Sequence, residues 1–327
     1  MKLAILGAGA WGSALAISLA EAHDVTLWSR RREDCESILR SRESRYLAGV
    51  AIPAKVAIEP DLTRALQGCD AILIATATSG LRETLRAVAA HASPPAILWA
   101  CKGFETASGM LPHQVVQEEM PRATKVAALS GPSFALEVAR GQPTAIVLAS
   151  RDEAFASQAA SALNSARLRI YSNDDLAGVE LGGALKNVVA IAAGISDGLC
   201  LGRNARAALV TRGLAEISRL GVAMGGRSET FNGLTGLGDL VLTCTGDLSR
   251  NREVGVSLAK GKTLDEALGG LGHVAEGVQS ARAARTHARA LGIEMPITEA
   301  VCAVLFEGRP APEAVRQLLT RDPRAER

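Results

Sequence analysis

Short apolar runs alternate with stretches of helical spacing through the first 175 residues. Residues 3–6 form an apolar run that ends in glycine, residues 11–22 repeat small and apolar side chains at helical intervals, and residues 25–28 form a β-branched run. This order predicts a strand, a tight turn, a helix and a second strand. Further runs predict strands at 71–75, 96–100, 126–129, 144–148 and 168–171, with helices between several of them, for example at 81–90 and 153–164.

Most of these apolar runs are continuous rather than alternating, which is typical of strands that helices cover on both faces. We therefore expect an α/β fold with an open, mainly parallel sheet in the N-terminal part. Near residue 175 the strand signals nearly vanish, and Ala-, Leu- and Gly-rich helical patterns follow at 176–195, 204–220, 264–268, 278–291 and 298–306. They predict an all-α C-terminal domain. We place the domains at 1–178 and 179–327 and expect the helix that begins near Leu176 to run from one into the other.

The composition is that of a globular protein, with 48% hydrophobic and 21% charged residues among 327. The net charge of +2 creates no overall field for nucleic acid or a membrane surface, so neither is expected as a partner. The six cysteines include no C-x-x-C pair. This argues against a zinc site or a disulfide framework, so we expect no metal and a cytoplasmic location with reduced thiols.

The N-terminus resembles a secretory signal, because Lys2 precedes an apolar stretch with small residues. Gly7, Gly9 and Gly12 interrupt that stretch and argue against the signal. Elsewhere we find no apolar run that approaches the ~18 residues of a membrane-spanning helix.

The segment from Gly7 to Gly12 has the G-x-G-x-x-G spacing of a dinucleotide-binding turn. Gly7 permits the tight turn, Gly9 lets backbone amides approach a pyrophosphate, and Gly12 lets the helix pack closely on the strand. The helix N-terminus then supplies N–H groups and partial positive charge for the phosphates. Its position between a strand and a helix predicts a Rossmann-type domain.

The second strand ends in a basic segment that contains Arg30, Arg31 and Arg32. An acid at this place favours NAD, whereas guanidinium groups suit the 2′-phosphate of NADP. The sequence therefore favours NADP(H), with NAD(H) as a second cofactor. The alternative is that these arginines begin a solvated helix and pair with Glu33, Asp34 and Glu36.

Several polar residues stand where ligands or reacting groups are expected. Lys102 and the loop 130–133 follow predicted strands at the carboxyl edge of the sheet, where open α/β folds bind ligands, although turn chemistry alone could explain that loop. Lys186 lies in an apolar, Gly-containing helix, so it either extends to water or is partly buried with a partner.

Asp239 lies between a Gly-rich turn and an apolar run, where a carboxylate needs a cation or N–H donors, unless it serves only as a helix N-cap. Arg250, between Ser249 and Asn251, suits a phosphate, unless it belongs to a solvated basic loop.

Taken together, these segments resemble bacterial NAD(P)-dependent glycerol-3-phosphate dehydrogenase from about residue 3 to residue 319. The resemblance rests on the glycine fingerprint with Trp11 and on long strings at 129–133, 179–187, 211–216, 233–245, 249–251 and 295–299. It implies a Rossmann domain followed by an all-helical domain, and a phosphate-bearing small molecule as substrate.

The resemblance also implies roles for individual residues. Lys186 would be the general acid/base, with the catalytic and substrate residues Lys102, Gly131, Ser133, Asp239, Ser249, Arg250 and Asn251 around the substrate. Cofactor positions match at Trp11, Arg31, Lys102, Ala135, Arg250, Val274 and Glu276. Ala10 departs from the serine often seen there, and Arg30 replaces a smaller or imidazole-bearing residue, which changes the contacts to the cofactor.

The implied reaction interconverts dihydroxyacetone phosphate and sn-glycerol 3-phosphate and supplies glycerol 3-phosphate for phospholipid synthesis. The sequence leaves open whether the chain forms a homodimer. Two rivals are a related ketoacid or β-hydroxyacid dehydrogenase, which would want an arginine clamp for a carboxylate, and a regulatory protein that binds NADPH without chemistry.

Overall fold

The computed structural model describes residues 1–91, 96–269 and 275–320. Its eight-stranded sheet has the order β3-β2-β1-β4-β5-β6-β7-β8. The strands are β1 (Lys2–Leu6), β2 (Asp24–Trp28), β3 (Ala57–Ile58), β4 (Ala71–Ile74), β5 (Ile97–Trp99), β6 (Val126–Ser130), β7 (Thr144–Ala149) and β8 (Leu168–Asn173). The first six follow the 3-2-1-4-5-6 order of a dinucleotide-binding sheet, which confirms the predicted fold class.

Sixteen α-helices are assigned within the described residues. Seven belong to the first 175 residues: α1 (Ala10–Leu19), α2 (Arg32–Ser41), α3 (Leu62–Leu66), α4 (Leu81–His91), α5 (Pro112–Glu119), α6 (Ala135–Ala139) and α7 (Glu153–Leu163). The other nine are α8 (Leu176–Gly198), α9 (Gly202–Ala223), α10 (Ser228–Phe231), α11 (Asp239–Thr245), α12 (Arg250–Ala259), α13 (Leu264–Gly269), α14 (Glu276–Ala290), α15 (Pro296–Phe306) and α16 (Ala311–Leu319). A 3₁₀ turn spans Thr78–Gly80, and a π-helical turn spans Leu234–Gly238.

All strand pairs are parallel except β6 and β7, which run antiparallel with Leu129 opposite Leu148. The apolar runs predicted all but the two-residue strand β3. The central strands are buried on both faces, and the side chains of one face form a core with the inner faces of α1 and α7. This core fixes the carboxyl ends of β1, β5 and β6, from which the candidate site residues follow.

The chain divides into two compact units, Met1–Glu180 and Leu181–Arg327, at a point inside α8. The helix expected to begin near Leu176 is present as α8, and the division falls within it. No strand is assigned between residue 181 and residue 320 in the part that the structure describes. The second unit has its own apolar core, built from α8, α12, α14 and α15.

Helix α8 corrects one expectation from the sequence. With 23 residues and a mean hydropathy of 1.4 in its most apolar window, it is long and apolar enough to cross a membrane by length and composition. Yet 89% of that window is buried inside the protein, as in the core helix of a globular domain. The sequence shows no uninterrupted apolar run of this length, because Glu180, Lys186 and Asp197 lie within the helix.

Candidate functional site

Two of the three glycines of the fingerprint occupy positions where backbone packs against backbone. Gly7 follows β1 with a φ of +126°, and a Cβ there would lie 2.7 Å from the carbonyl oxygen of Ala75. A Cβ on Gly12 would lie 1.9 Å from the carbonyl oxygen of Gly7, so α1 can pack this closely on the turn only without a side chain. Gly9 is different, since a Cβ there would meet nothing within 4 Å. The turn is closed beneath Gly7 and Gly12 and open at Gly9.

The open side of the turn presents the N-terminus of α1. Gly9 is its N-cap and offers no capping side chain, and the first turn carries no acid. The first N–H groups of α1 are therefore suited to a phosphate rather than satisfied by a carboxylate. Ala10 and Trp11 open this helix, and Trp11 packs with Ala135 against one small apolar cluster. The predicted cofactor residues at 7–12 and 135 thus belong to neighbouring elements.

Two buried hydroxyl groups donate hydrogen bonds to the backbone of the fingerprint turn. Ser13 and Ser44 both donate to the carbonyl oxygen of Ala8, at 3.3 and 3.1 Å. This fixes the carbonyl at the centre of the turn and ties the segment after α2 to it. Sequence reasoning did not find Ser44, because it lies 36 residues from its acceptor.

Arg31 and Arg32, which follow β2, make the ion pairs with nearby acids that the alternative interpretation of this segment predicts. Arg32 begins α2 and pairs with Glu36 at 3.1 Å, and Arg31 lies 3.6 Å from Asp34. Arg30 pairs with the exposed Glu83. The guanidinium groups of Arg30 and Arg31 are nevertheless exposed, so these pairs leave them accessible to a bound anion.

Lys102, Gly131 and Ser133 come together at the carboxyl edge of the sheet. The ammonium group of Lys102 donates to the carbonyl oxygen of Gly131 at 2.9 Å, and the hydroxyl of Ser133 donates to the same oxygen at 3.0 Å. Gly131 has a φ of +135°, and a Cβ there would lie 3.0 Å from the Cα of Ile146. The backbone of Lys102 is held in turn by the Thr78 hydroxyl, at 2.8 Å.

In the second unit, Lys186 is a buried cation with two partners on α11. Only 7% of the residue is exposed, and its Nζ donates to Oδ1 of Asp239 and, at 2.9 Å, to Oγ1 of Thr243. The Thr243 hydroxyl donates in turn to the Asp239 carbonyl oxygen at 2.6 Å. Lys186 therefore does not extend to bulk water, and Asp239 uses its carboxylate to balance a charge rather than to cap a helix. A buried ammonium held by a carboxylate and a hydroxyl is equipped to donate a proton.

Glycine lets α11 and its preceding turn approach α8 this closely. A Cβ on Gly182, one turn before Lys186, would lie 2.5 Å from the carbonyl oxygen of Thr235. A Cβ on Gly236 would lie 2.0 Å from the carbonyl oxygen of Phe231. The π-helical turn Leu234–Gly238 is thus packed against the α8 backbone, and Asp239 begins α11 directly after it.

The one thiol beside this ion pair is not a candidate nucleophile. Burial raises the pKa of Cys244 to about 12, although the charge of Lys186 opposes the shift. Cys244 therefore stays a neutral thiol at physiological pH. Across residues 1–91, 96–269 and 275–320, no group of three or more His, Cys, Asp or Glu side chains is arranged to hold a metal.

The predicted phosphate residues surround the N-terminus of α12. Ser249 is its N-cap, and its hydroxyl accepts from the N–H of Arg252 at 3.3 Å. Asn251 is buried, and its Oδ1 accepts the N–H of Gly277 at 3.0 Å, which leaves Nδ2 as the remaining donor of the amide. Arg250 is exposed and pairs with no carboxylate among the residues that the structure describes. This arrangement offers N–H donors and a cation to an anion.

One of the last two predicted cofactor positions lies at the start of α14. Glu276 is the first residue of that helix and is half-buried. Val274 lies outside the described residues.

Thr243 is a second residue, besides Ser44, that sequence reasoning missed. Its signal was the spacing of four from Asp239, which places both on one helical face once residues 239–245 are taken as a helix.

Comparison with known proteins covers both units. Residues 2–156 match a family described as NAD-dependent glycerol-3-phosphate dehydrogenase N-terminus, and residues 175–316 match the C-terminus of the same family. A protein of Thiobacillus denitrificans named glycerol-3-phosphate dehydrogenase, NAD(P)+, is 58% identical over 100% of both chains. One of Nitrosospira multiformis with the same name is 54% identical over 100% of this chain and 99% of its own. The crystal structure of glycerol-3-phosphate dehydrogenase from Coxiella burnetii is 41% identical, with a TM-score of 0.93 over 98% of this chain and 99% of its own.

Proposed function

Since the chain belongs to the NAD-dependent glycerol-3-phosphate dehydrogenase family, we propose that it reduces dihydroxyacetone phosphate to sn-glycerol 3-phosphate with NADP(H) as its preferred cofactor. It is an NAD(P)-dependent oxidoreductase, and its product supplies the glycerol backbone for phospholipid synthesis. The observation that carries the proposal is the buried ammonium of Lys186, held by Asp239 and Thr243.

The residues of the glycine turn fit a dinucleotide. The open space over Gly9 and the uncapped N-terminus of α1 suit a pyrophosphate, which would be held by backbone N–H groups. Trp11 and Ala135 would flank it. When bound, the reduced nicotinamide supplies the hydride for the ketone carbon of the substrate.

Lys186 is the proton donor of the proposed reaction. Reduction of the carbonyl carbon moves an electron pair onto the ketone oxygen, and that charge needs a proton. The Lys186 ammonium stabilises the charge and gives up its proton, so the alcohol forms and a neutral amine remains, which solvent reprotonates. Asp239 keeps the ammonium in place and balances its charge before the transfer.

Other residues bind the substrate. Arg250, Ser249 and Asn251 hold its phosphate group, which supplies binding energy away from the reacting carbon and orients the carbonyl. In the first unit, Lys102 adds positive potential for the anionic substrate. Gly131 and Ser133 fix the Lys102 ammonium through the shared carbonyl oxygen.

The preference for NADP(H) over NAD(H) rests on Arg30 and Arg31. Both side chains are exposed at the end of β2, where the ribose of a dinucleotide binds in this type of sheet. Their forked guanidinium groups suit a 2′-phosphate.

One assay separates the proposal from its rivals. NADPH absorbance is followed on addition of dihydroxyacetone phosphate, then of ketoacids, then of buffer alone. We expect oxidation with dihydroxyacetone phosphate only. Oxidation with a ketoacid instead would favour the related dehydrogenases, and NADPH binding without any oxidation would favour a regulatory protein.

The cellular setting and assembly of the protein extend the proposal. We propose a cytoplasmic enzyme without a nucleic-acid or membrane partner, and a homodimer is the alternative to a monomer. Sedimentation at micromolar concentration tests the dimer, because a 34.0 kDa chain would then sediment at twice that mass.

A further inference from the structure

A cluster of four side chains lies beside the end of β2 and is called here the Tyr46 cluster. Its members are Arg31, Asp34, Arg45 and Tyr46. The hydroxyl oxygen of Tyr46 accepts from Nη2 of Arg31 at 2.7 Å and from Nη2 of Arg45 at 2.6 Å. The guanidinium carbon of Arg45 also lies 4.7 Å from the centre of the Tyr46 ring. The Tyr46 hydroxyl oxygen therefore brings the guanidinium groups of Arg31 and Arg45 together.

The acid of the cluster is already engaged. The buried carboxylate of Asp34 lies 3.0 Å from Nη2 of Arg45 and 3.6 Å from Nε of Arg31. The Ser29 hydroxyl contacts it at 3.4 Å. An acid in this region would read the ribose hydroxyl of NAD, but this one is occupied by both guanidinium groups.

The segment that carries Arg45 is fastened to the dinucleotide turn. Ser44 donates to the carbonyl oxygen of Ala8 at 3.1 Å, and its hydroxyl accepts the N–H of Tyr46 at 3.3 Å. Ala8 lies between the first two glycines of the fingerprint. Arg45 is therefore held beside that turn although it is 37 positions further along the chain.

Arg45 keeps donors for a ligand. Its side chain is 56% exposed, and its Nε and Nη1 contact no acceptor among the described residues. Glu33 lines the same small pocket, so positive and negative side chains lie side by side there. Selectivity for a phosphate must therefore come from the N–H donors of the two guanidinium groups rather than from net charge. Two guanidinium groups held by one phenol match the several oxygens of a phosphate monoester.

We propose that Arg45, together with Arg31 and positioned by Tyr46, binds the 2′-phosphate of NADPH and sets the preference over NADH. This rests on the proposed function, because it assigns a residue to the cofactor preference stated there. Arg45 is not among the cofactor positions that the family resemblance implies. The observation that points to it is the convergence of the Arg31 and Arg45 guanidinium groups on the Tyr46 hydroxyl.

The test is equilibrium binding, which needs no turnover. The dissociation constants of NADPH and NADH are measured by fluorescence for wild type, Arg45→Ala and Arg32→Ala. For Arg45→Ala we expect NADPH binding to weaken about tenfold or more, as for loss of a charge-assisted hydrogen bond, and NADH binding to change by less than about twofold. Arg32→Ala removes the same charge from the Glu36 pair and should change neither constant by more than about twofold.

Nucleotide fragments isolate the phosphate. Arg45→Ala should weaken 2′,5′-ADP about tenfold and leave 5′-AMP unchanged, and Tyr46→Phe should weaken 2′,5′-ADP in the same direction, since it releases both guanidinium groups. Equal weakening of both fragments, or of neither, overturns the role of Arg45. A wild type that binds NADPH and NADH equally overturns the inference and the proposed preference together. A wild type that prefers NADPH while Arg45→Ala keeps that preference overturns the inference alone.

Discussion

The hydroxyl group of Thr243 accepts a hydrogen bond of 2.9 Å from the buried ammonium group of Lys186. Thr243 lies one turn after Asp239 on α11, so the hydroxyl and the carboxylate approach Nζ from the same helical face. The two contacts leave the ammonium little freedom to turn. The ammonium group is thus positioned by two side chains rather than one.

Replacing Thr243 with Val should slow turnover. The variant keeps the shape of the side chain but removes the oxygen, and loss of a hydrogen bond to a charged group costs about 1.5–3 kcal/mol, or roughly tenfold or more in kcat. Steady-state kinetics with dihydroxyacetone phosphate measure kcat, and fluorescence gives the dissociation constant of NADPH, which should not change. Thr245→Val is the matched control, because the exposed Thr245 hydroxyl donates only to the carbonyl oxygen of Val241. Equal kinetics for the two variants would remove Thr243 from the site.

Replacing Lys186 with Ala should abolish most of the turnover. Loss of a general acid lowers the rate by about 10² to 10⁴-fold. NADPH binding should stay close to wild type, because the glycine turn belongs to the first unit. Circular dichroism establishes that the variant is folded although Asp239 has lost the Lys186 ammonium. A folded variant with near-normal kcat would contradict the assignment of the proton donor.

Replacing Arg250 with Ala should raise the KM for dihydroxyacetone phosphate strongly, by about tenfold or more, because the substrate phosphate loses a charged donor. Initial rates over a range of substrate concentrations give KM and kcat separately. Lys260→Ala, at the other end of α12, removes one exposed positive charge and should leave KM unchanged. An unchanged KM in the Arg250 variant would refute the phosphate assignment.

Glu216 should make the stability of the second unit depend on pH. Burial raises the pKa of Glu216 from 4.5 to about 6, against the hydrogen bonds that its carboxylate accepts from Ile297 and Thr298 at the start of α15. The folded protein therefore takes up this proton before the unfolded chain does. The contribution to stability is complete below pH 4.5 and is lost as the pH rises through 6.

Urea unfolding at pH 4.5 and 7.5 tests this expectation with Glu216→Gln, which cannot titrate. The free energy of unfolding of wild type relative to the variant should rise by about 2 kcal/mol on acidification. Glu313→Gln, at an exposed position of α16, should show no such difference. A constant difference between wild type and Glu216→Gln at the two pH values would contradict the raised pKa.

The sequence predicted the sheet because its strands are continuous apolar runs, whose burial leaves an unambiguous local pattern. It predicted the glycine turn for a similar reason. The close contact with the Gly7 carbonyl oxygen admits only glycine at position 12, so the packing requirement is visible in the sequence itself. The two-residue strand β3 was not predicted, because two residues are too few to show a pattern of apolar and polar side chains. The antiparallel direction of β7 was not predictable either, because it is set by the path of the chain after β6 rather than by residues 144–149.

The candidate site was predictable where one residue broke a local rule. Lys186 stood out because a charge inside an apolar helix needs a partner, and Asp239 stood out after its Gly-rich turn. Thr243 and Ser44 did not, because a hydroxyl is common on any element and its importance depends on an acceptor or donor brought close by the fold. Ion pairs such as Arg32 with Glu36 were predictable from spacing alone.

The carbonyl oxygen of Gly7 lies so close to the backbone of α1 that no side chain fits at position 12, whereas the side chains of Arg30 and Arg31 are exposed. Under the proposed function, the part of the site common to both nicotinamide nucleotides is therefore built from main chain and tolerates almost no substitution. The proposed ribose end instead carries Arg30 and Arg31, whose exposed side chains lie outside the apolar core. A redesign, or a lineage under selection, can therefore redirect this enzyme from one cellular reductant pool to the other at its surface while the interior stays as it is.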